Sequence, residues 1–219
     1  MSKGFSKSSV GRKILMALSG FFLLVFLLQH LTINMISVFS ASKFNAASEF
    51  MGTNPLIQYV LQPVLFFGII FHLIMGIYLD IKNKAARPVK YAMNKPGENA
   101  SWVSRNMIIT GIMVLLFIGL HMVNFFIPSI NAHYITHDHL DSYQMVVTKM
   151  TEPLYVGIYI LAFIFLSLHL MHGFQSAFQS VGFNHKKYTP VIKKLGYLYA
   201  ICVPLGNIII AVFHYVNSL

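Results

Sequence analysis

Four histidines, one from each of the first four apolar segments of this chain, could bind a metal. They are His30, His72, His121 and His169. Histidine is costly inside a lipid bilayer and usually marks a functional site there. A lone intramembrane imidazole more often bonds a neighbouring helix, but imidazole nitrogen is also a common ligand for iron. Four histidines in four consecutive segments therefore favour ligand pairs over isolated hydrogen bonds.

The composition is that of a membrane protein that crosses the bilayer several times. Of 219 residues, 56% are hydrophobic and 10% are charged, and the mean hydropathy is +0.66. The net charge of +10 fits basic cytoplasmic loops better than nucleic acid, so no nucleic-acid partner is expected. Cys202 is the one cysteine, which argues against disulfides, iron–sulfur clusters and covalent CxxCH haem attachment.

The predicted fold class is all-α integral membrane, with a single membrane domain over residues 1–219. Five apolar segments are each long enough to cross about 30 Å of hydrocarbon. We expect the first four spans to form an up-down bundle, and no internal repeat is evident along the chain. The predicted spans are residues 14–39, 55–81, 107–128, 153–178 and 195–216.

The charged residues predict the orientation of these spans. All but two of the 16 basic residues fall in segments that share one side of the membrane, and the exceptions are Lys43 and Lys149. The positive-inside rule then predicts a cytoplasmic N-terminus and an external C-terminus. The basic side would hold Lys3, Lys7, Arg12, Lys13, Lys82, Lys84, Arg87, Lys90, Lys95, Arg105, Lys186, Lys187, Lys193 and Lys194.

Counting residues from the charged boundaries gives each histidine a depth. His30 follows Arg12 by a stretch of helix roughly 27 Å long, and His121 follows Arg105 by roughly 24 Å. Both boundaries are on the inner side, so these two histidines belong to the outer half of the membrane. They form a candidate outer pair from spans one and three.

The other two histidines fall in the inner half. His72 precedes Lys82, an inner residue, by roughly 15 Å, and His169 follows Glu152, an outer residue, by roughly 25 Å. They form a candidate inner pair from spans two and four.

In an up-down bundle these pairs lie on the diagonals, whose helix axes are about 13 Å apart. That spacing suits two imidazoles that reach one central iron, and it is too wide for two histidines to share a zinc ion directly. We therefore predict two stacked b-type haems, each with two histidine ligands and apolar walls. The second nitrogen of each ring should bond an acceptor, and backbone carbonyls one turn earlier are the expected ones.

Two further histidines in the spans have open or minor roles. His172 competes with His169 as the fourth ligand, and spacing alone does not choose between them. His214 has no depth-matched partner, and we expect it at the membrane interface. A polar patch at the inner end of span four could bind haem propionates or simply meet lipid headgroups; it comprises Gln175, Ser176, Gln179 and Ser180.

Glycines one turn from the histidines have two interpretations. Gly68 and Gly76 flank His72, and Gly173 follows His169. They could allow close helix packing, or they could leave a flat surface for a macrocycle. The two interpretations weigh equally in span two, and the second is favoured beside His169.

The outer loop before span four is rich in histidine and aspartate. Such a cluster could bind a divalent metal or relay protons to a quinone, but residues of this kind in a loop are more often simply solvated. The residues are His133, His137, Asp138, His139 and Asp141.

The spans resemble a known family. The sequences SGFFLLVFLLQHLTIN, FFGIIFHLIMGIYL, IGLHMVNFF and SLHLMHGFQSAFQSVG are similar to the five-span, dihaem cytochrome b anchors (b558 type) of succinate dehydrogenases and fumarate reductases. The resemblance covers essentially the whole chain. In that family the fourth ligand stands four residues before a glycine, in an H-x3-G-x8-G pattern that here runs from His169 to Gly182. The resemblance thus selects His169 over His172.

The resemblance implies a membrane anchor that carries electrons between an iron–sulfur subunit and a quinone, with menaquinone expected. A flavoprotein subunit and the iron–sulfur subunit would dock on the cytoplasmic face of a bacterial inner membrane, with lipid around the spans. Glu49 is the candidate for a family glutamate near the quinone. The chain alone is not expected to oxidise succinate, because it contains no flavin or iron–sulfur motif.

Two alternatives stay open. The chain could be the cytochrome b subunit of another quinone-linked complex, such as a hydrogenase or a formate dehydrogenase. It could also be a proton-coupled transporter whose intramembrane histidines relay protons.

Overall fold

The computed structural model describes residues 8–85, 102–138 and 140–219. These residues form helices joined by short turns, with no strand among them. Five helices are long and apolar enough to cross a membrane, which confirms the predicted all-α membrane fold. Several residues of the sequence analysis lie outside the described ranges: Lys3, Lys7, Arg87, Lys90, Lys95 and His139.

The five spans follow the predicted order with different ends. Span one is Ser9–Phe39, span two is Ile57–Ala85, span three is Met107–Thr136, span four is Pro153–Ser180 and span five is Thr189–Val216. Span five starts earlier than predicted because Pro190 fits the first turn of a helix, where its missing N–H costs nothing. Span three runs past Pro128, where the sequence analysis ended it.

Wide helical turns explain how spans two and three accommodate the prolines inside them. A π-helical segment, Ile57–Leu61, comes just before Pro63, and a second one, Met122–Phe126, comes just before Pro128. In each case the N–H of the residue directly before the proline donates to the carbonyl five residues back. The wider turn makes room for a ring that would otherwise clash with the carbonyl four residues earlier.

The two connections at one end of the bundle are partly helical. Ala41–Thr53 joins spans one and two, and Ser142–Met150 lies between spans three and four. The two helices contact each other, and Asn45 Nδ2 donates to Asp141 Oδ1 at 2.9 Å. Following the predicted orientation, we call this the outer end of the bundle and the opposite end the inner end.

The first four spans form a closed ring of neighbours. Span one packs against spans two and four, and span three packs against spans two and four. The first and third spans therefore face each other across the bundle, and so do the second and fourth. This is the up-down arrangement that the short connections predict.

Span five packs against the outside of this ring, on spans four and one. Gly206 lies against Leu31 of span one, Gly196 lies against Phe174 of span four, and the Tyr199 hydroxyl donates to the backbone carbonyl of Leu24 at 2.5 Å. Small residues let membrane helices approach closely, because packing rather than the hydrophobic effect holds them together.

The contact between Gly196 and Phe174 gives a test of this packing. A Cβ at position 196 would lie 2.9 Å from Phe174 Cδ1, so Gly196→Ala should cost about 1–3 kcal/mol of overpacking. Gly157→Ala is the matched control, because a Cβ there meets no heavy atom within 4 Å. Both changes gain the same helix propensity of roughly 1 kcal/mol. Thermal unfolding in detergent micelles should therefore rank Gly157→Ala above Gly196→Ala, and equal stability would contradict the tight contact.

Candidate haem-ligand site

The structure brings His72 and His169 together in the inner half of the bundle. Their ring centroids are 6.4 Å apart and their planes are inclined by 68°. His72 comes from span two and His169 from span four, so the two rings reach toward each other across a diagonal. This is the inner pair expected from depth.

The structure also brings His30 and His121 together in the outer half. Their ring centroids are 5.6 Å apart and their planes are almost perpendicular, at 89°. Phe26 stacks on His30 at 5.5 Å, and Phe117 and Phe125 lie within 6 Å of His121. The outer pair therefore lies among aromatic side chains.

In both pairs, the distance between the two rings fits two imidazoles that bind one metal ion. Two bonds of about 2 Å from imidazole nitrogens to one ion separate the ring centroids by roughly 6 Å, and both observed distances are near that value. Across the described residues, no group of three or more His, Cys, Asp or Glu side chains could hold an ion. Two histidines on opposite sides are the donor set of a b-type haem.

One ring nitrogen of the outer pair lacks a hydrogen-bond partner among the described residues. Nδ1 of His121 is buried and has no hydrogen-bond partner in the described part of the chain. An unpaired polar atom in an apolar interior costs about 1–3 kcal/mol, so a buried group left in this state is often functional rather than structural.

The ring of His72 rests on a serine–glycine step of span one. Ser19 Oγ lies 3.1 Å from His72 Nδ1, and the Ser19 hydroxyl donates its hydrogen to the Met16 carbonyl at 2.8 Å. A Cβ on Gly20 would lie 3.7 Å from His72 Cε1. The glycine lets the imidazole approach the helix surface, and the hydroxyl lies within hydrogen-bonding distance of one ring nitrogen.

The ring of His169 rests on the same kind of step in span three. Thr110 Oγ1 lies 3.3 Å from His169 Nδ1, and the Thr110 hydroxyl donates to the Met107 carbonyl at 3.0 Å. A Cβ on Gly111 would lie 3.4 Å from His169 Cε1. The sequence analysis expected backbone carbonyls one turn earlier as partners of the ring nitrogens. For the inner pair, the partners instead belong to the neighbouring span: the Ser19 hydroxyl for His72, and the Thr110 hydroxyl together with the Met107 backbone carbonyl for His169.

Sequence reasoning missed Ser19 and Thr110, although a signal for them exists. Each stands directly before a glycine and eleven residues before an outer-pair histidine, so spans one and three share the pattern [Ser/Thr]-Gly-x9-His. Spans one and three thus share a short motif.

The glycines beside the histidines contact side chains of other spans. The nearest neighbour of a Cβ at Gly68 would be Phe22, at Gly76 it would be Met16, and at Gly173 it would be Met107. These contacts support the packing interpretation for all three positions. His172 is partly exposed and pairs with no other ring in the part of the chain that the structure describes.

His214, which the sequence analysis expected at the membrane interface, lies near the outer end of span five and is covered by protein. Its side chain is only 2% exposed, and its Nε2 lies 2.9 Å from Ser37 Oγ of span one. The ring of Tyr143, from the outer helix Ser142–Met150, packs against it at 5.5 Å. His214 is buried because that helix covers the outer end of span five, a feature that a count of span residues does not reveal.

The histidine-rich outer loop is largely part of the helical framework. His133 donates Nδ1–H to the Ser129 carbonyl at 2.9 Å within span three, and His137 ends that span in the left-handed conformation. Asp141 is the N-cap of the next helix, with Oδ1 accepting from the Gln144 N–H at 2.8 Å. Glu49 is exposed on the helix Ala41–Thr53.

Fold and site together define a class: an all-α integral membrane protein with two histidine pairs, one above the other, on the diagonals of a four-helix ring. The role of His30, His72, His121 and His169 as haem ligands stays a prediction.

Comparison with known proteins gives one informative match. The chain is similar to the protein named succinate dehydrogenase cytochrome b558 subunit from Bacillus subtilis (strain 168), with 27% identity over 155 residues, which cover 69% of each chain. This confirms the predicted resemblance to b558-type anchors of succinate dehydrogenase. No family model and no solved structure match the chain.

The buried contact between Ser37 and His214 yields a stability prediction. Ser37→Ala removes the partner of a buried ring nitrogen and should destabilise the protein by about 1–3 kcal/mol. Ser180→Ala is the control, because its hydroxyl donates to the Ser176 carbonyl of its own helix. Unfolding in detergent measures both variants.

The double variant Ser37→Ala/His214→Phe separates a lost hydrogen bond from lost packing. Removing both polar partners is nearly neutral when shape is retained, so the double variant should recover most of the stability lost in Ser37→Ala. A double variant as unstable as the sum of the single changes would contradict the proposed contact.

Proposed function

We propose that this chain is the membrane anchor and electron-transfer subunit of a succinate:quinone oxidoreductase, and that it holds two haem b groups. The observation that carries the proposal is the geometry of the four histidines: two pairs on two diagonals, each with ring centroids close to the separation that one iron needs. The similarity to a succinate dehydrogenase cytochrome b558 subunit supports the same assignment.

His72 and His169 hold the inner haem, and His30 and His121 hold the outer one. A bound haem supplies a one-electron couple, and two imidazole ligands leave no open iron position for oxygen. The protein's part is to fix the four rings, to exclude water with apolar spans and to keep the two centres at different depths. His169 rather than His172 is the fourth ligand, because its ring faces His72 and bonds Thr110.

The partners of the chain are a flavoprotein subunit and an iron–sulfur subunit. They dock on the cytoplasmic face, which the positive-inside rule assigns to the inner end. Arg12 contributes to this end of the described structure, where its side chain bonds the Tyr78 hydroxyl and joins spans one and two. The quinone is menaquinone, the membrane is the bacterial cytoplasmic membrane, and the C-terminus is external.

Haem content of histidine variants tests the proposal. Purified wild-type protein should show two b haems per chain by pyridine haemochrome and by reduced-minus-oxidised spectra. His30→Ala and His169→Ala should each lose one haem, and the spectral band that remains should differ between them, since the two residues belong to different pairs.

The controls are His172→Ala and His214→Ala, which remove intramembrane histidines outside the two pairs and should keep both haems. A well-folded wild-type protein without haem would overturn the proposal and favour the proton-coupled transporter. Loss of a haem in His172→Ala but not in His169→Ala would move the fourth ligand one turn along span four.

A further inference from the structure

The hydroxyls of Ser19 and Thr110 can each take only one role toward the inner histidines. A hydroxyl has a single hydrogen. Ser19 donates it to the Met16 carbonyl at 2.8 Å, and Thr110 donates it to the Met107 carbonyl at 3.0 Å. A carbonyl oxygen only accepts, so these two hydrogens are engaged within the helices. Toward the imidazoles the hydroxyl oxygens are then acceptors.

Each hydroxyl lies closer to the carbonyl of its own helix than to the imidazole, which assigns the proton of each inner ring to the nitrogen that faces the hydroxyl. The nitrogens that face the hydroxyls are Nδ1 of His72, at 3.1 Å, and Nδ1 of His169, at 3.3 Å. To donate to an acceptor, each Nδ1 must carry hydrogen, and the neutral ring then has its lone pair on Nε2. A lone pair on Nε2 is what a metal requires.

We propose that Ser19 and Thr110 are positioning residues for the inner pair. They hold His72 and His169 in the Nδ1–H tautomer and thereby present Nε2 of both rings to one iron, while Gly20 and Gly111 let the rings approach. The part of the inference that concerns iron rests on the proposed function. The tautomers themselves follow from the contacts of the chain alone.

Among the described residues, no hydroxyl lies within hydrogen-bonding distance of the outer-pair rings. Nδ1 of His121 has no partner among the described residues, and the contacts of both outer rings are mainly with aromatic side chains. A hydrogen bond from Nδ1–H makes an imidazole a stronger electron donor, which favours ferric iron. Ser19 and Thr110 therefore lower the midpoint potential of the inner haem selectively.

His214 provides an internal control for the tautomer argument. Ser37 donates its hydrogen to the Asn34 carbonyl at 2.7 Å, as Ser19 does to Met16, but its oxygen faces Nε2 of His214. The same reasoning predicts the opposite tautomer, Nε2–H, for His214. A single sample of the protein should thus contain both tautomers at specified residues.

The first experiment is ¹⁵N nuclear magnetic resonance of the histidine rings in the full chain, prepared without haem in lipid nanodiscs. His72→Ala, His169→Ala and His214→Ala assign the signals. We expect the Nδ1–H form for His72 and His169 and the Nε2–H form for His214. An Nε2–H form at His72 or His169 would mean that the hydroxyl donates to the ring, and would overturn the proposal.

The second experiment removes the hydroxyls. Ser19→Ala should release His72 into a mixture of tautomers, and Thr110→Val, which keeps the shape of threonine, should do the same to His169. Ser19→Thr and Thr110→Ser retain a hydroxyl and should preserve the wild-type tautomers. Unchanged tautomers in both Ser19→Ala and Thr110→Val would refute the assignment.

In haem-loaded protein, a redox titration measures the midpoint potentials of both haems in the same variants. The haem that His169→Ala loses is the inner haem. Its midpoint potential should rise in Ser19→Ala and in Thr110→Val, and the midpoint potential of the outer haem should stay constant. A shift confined to the other haem, or no shift in either, would overturn the positioning role.

Two outcomes separate this inference from the proposed function. If wild-type protein binds no haem, the proposed function fails, while the tautomers in the haem-free chain still test the hydroxyl contacts. If either hydroxyl variant fails to fold, the variant on the opposite side of the pair and the wild-type tautomers decide the outcome.

Discussion

A neutral imidazole in the interior of a membrane bundle has one N–H and one lone pair, and each needs a partner or a reason to lack one. Leaving such a polar atom unpaired in hydrocarbon costs several kcal/mol by transfer scales, or about 1–3 kcal/mol from protein mutational data. In the inner half, one partner comes from the neighbouring span: Ser19 bonds His72, and Thr110 bonds His169. The other nitrogen of each imidazole is left for the centre of the four-helix bundle. This constraint links the order of the helices to the chemistry, because span two must lie beside span one, and span four beside span three.

The [Ser/Thr]-Gly-x9-His pattern shows how one helix serves both centres. Eleven residues make about three helical turns, so the hydroxyl and the histidine lie near the same face of the helix. They are also separated by roughly 16 Å along the axis. Spans one and three therefore present one face to the bundle axis, with a hydroxyl beside the inner pair and a histidine of the outer pair.

The sequence was sufficient for the features that depend on depth and hydropathy. Residue counts sorted His30 with His121 and His72 with His169, and the structure brings the same rings together. It was insufficient where a partner from a distant part of the chain decides. His214 is buried by Tyr143 and bonded by Ser37, two residues remote from it in sequence. The π-helical turns before Pro63 and Pro128 were also missed, since local patterns end a helix at proline unless the preceding turn widens.

The two halves of the bundle fix their histidines by different means. The inner rings are held by directional hydrogen bonds and by close approach to Gly20 and Gly111. The outer rings are held by shape: Phe26 stacks on His30, and His121 is surrounded by Phe117, Phe125 and Tyr159. Aromatic packing restricts a ring by shape, and unlike a hydrogen bond from the ring N–H it adds no electron density to the imidazole. The two histidine pairs therefore have different electronic environments, with hydroxyl contacts at the inner rings and aromatic contacts at the outer rings.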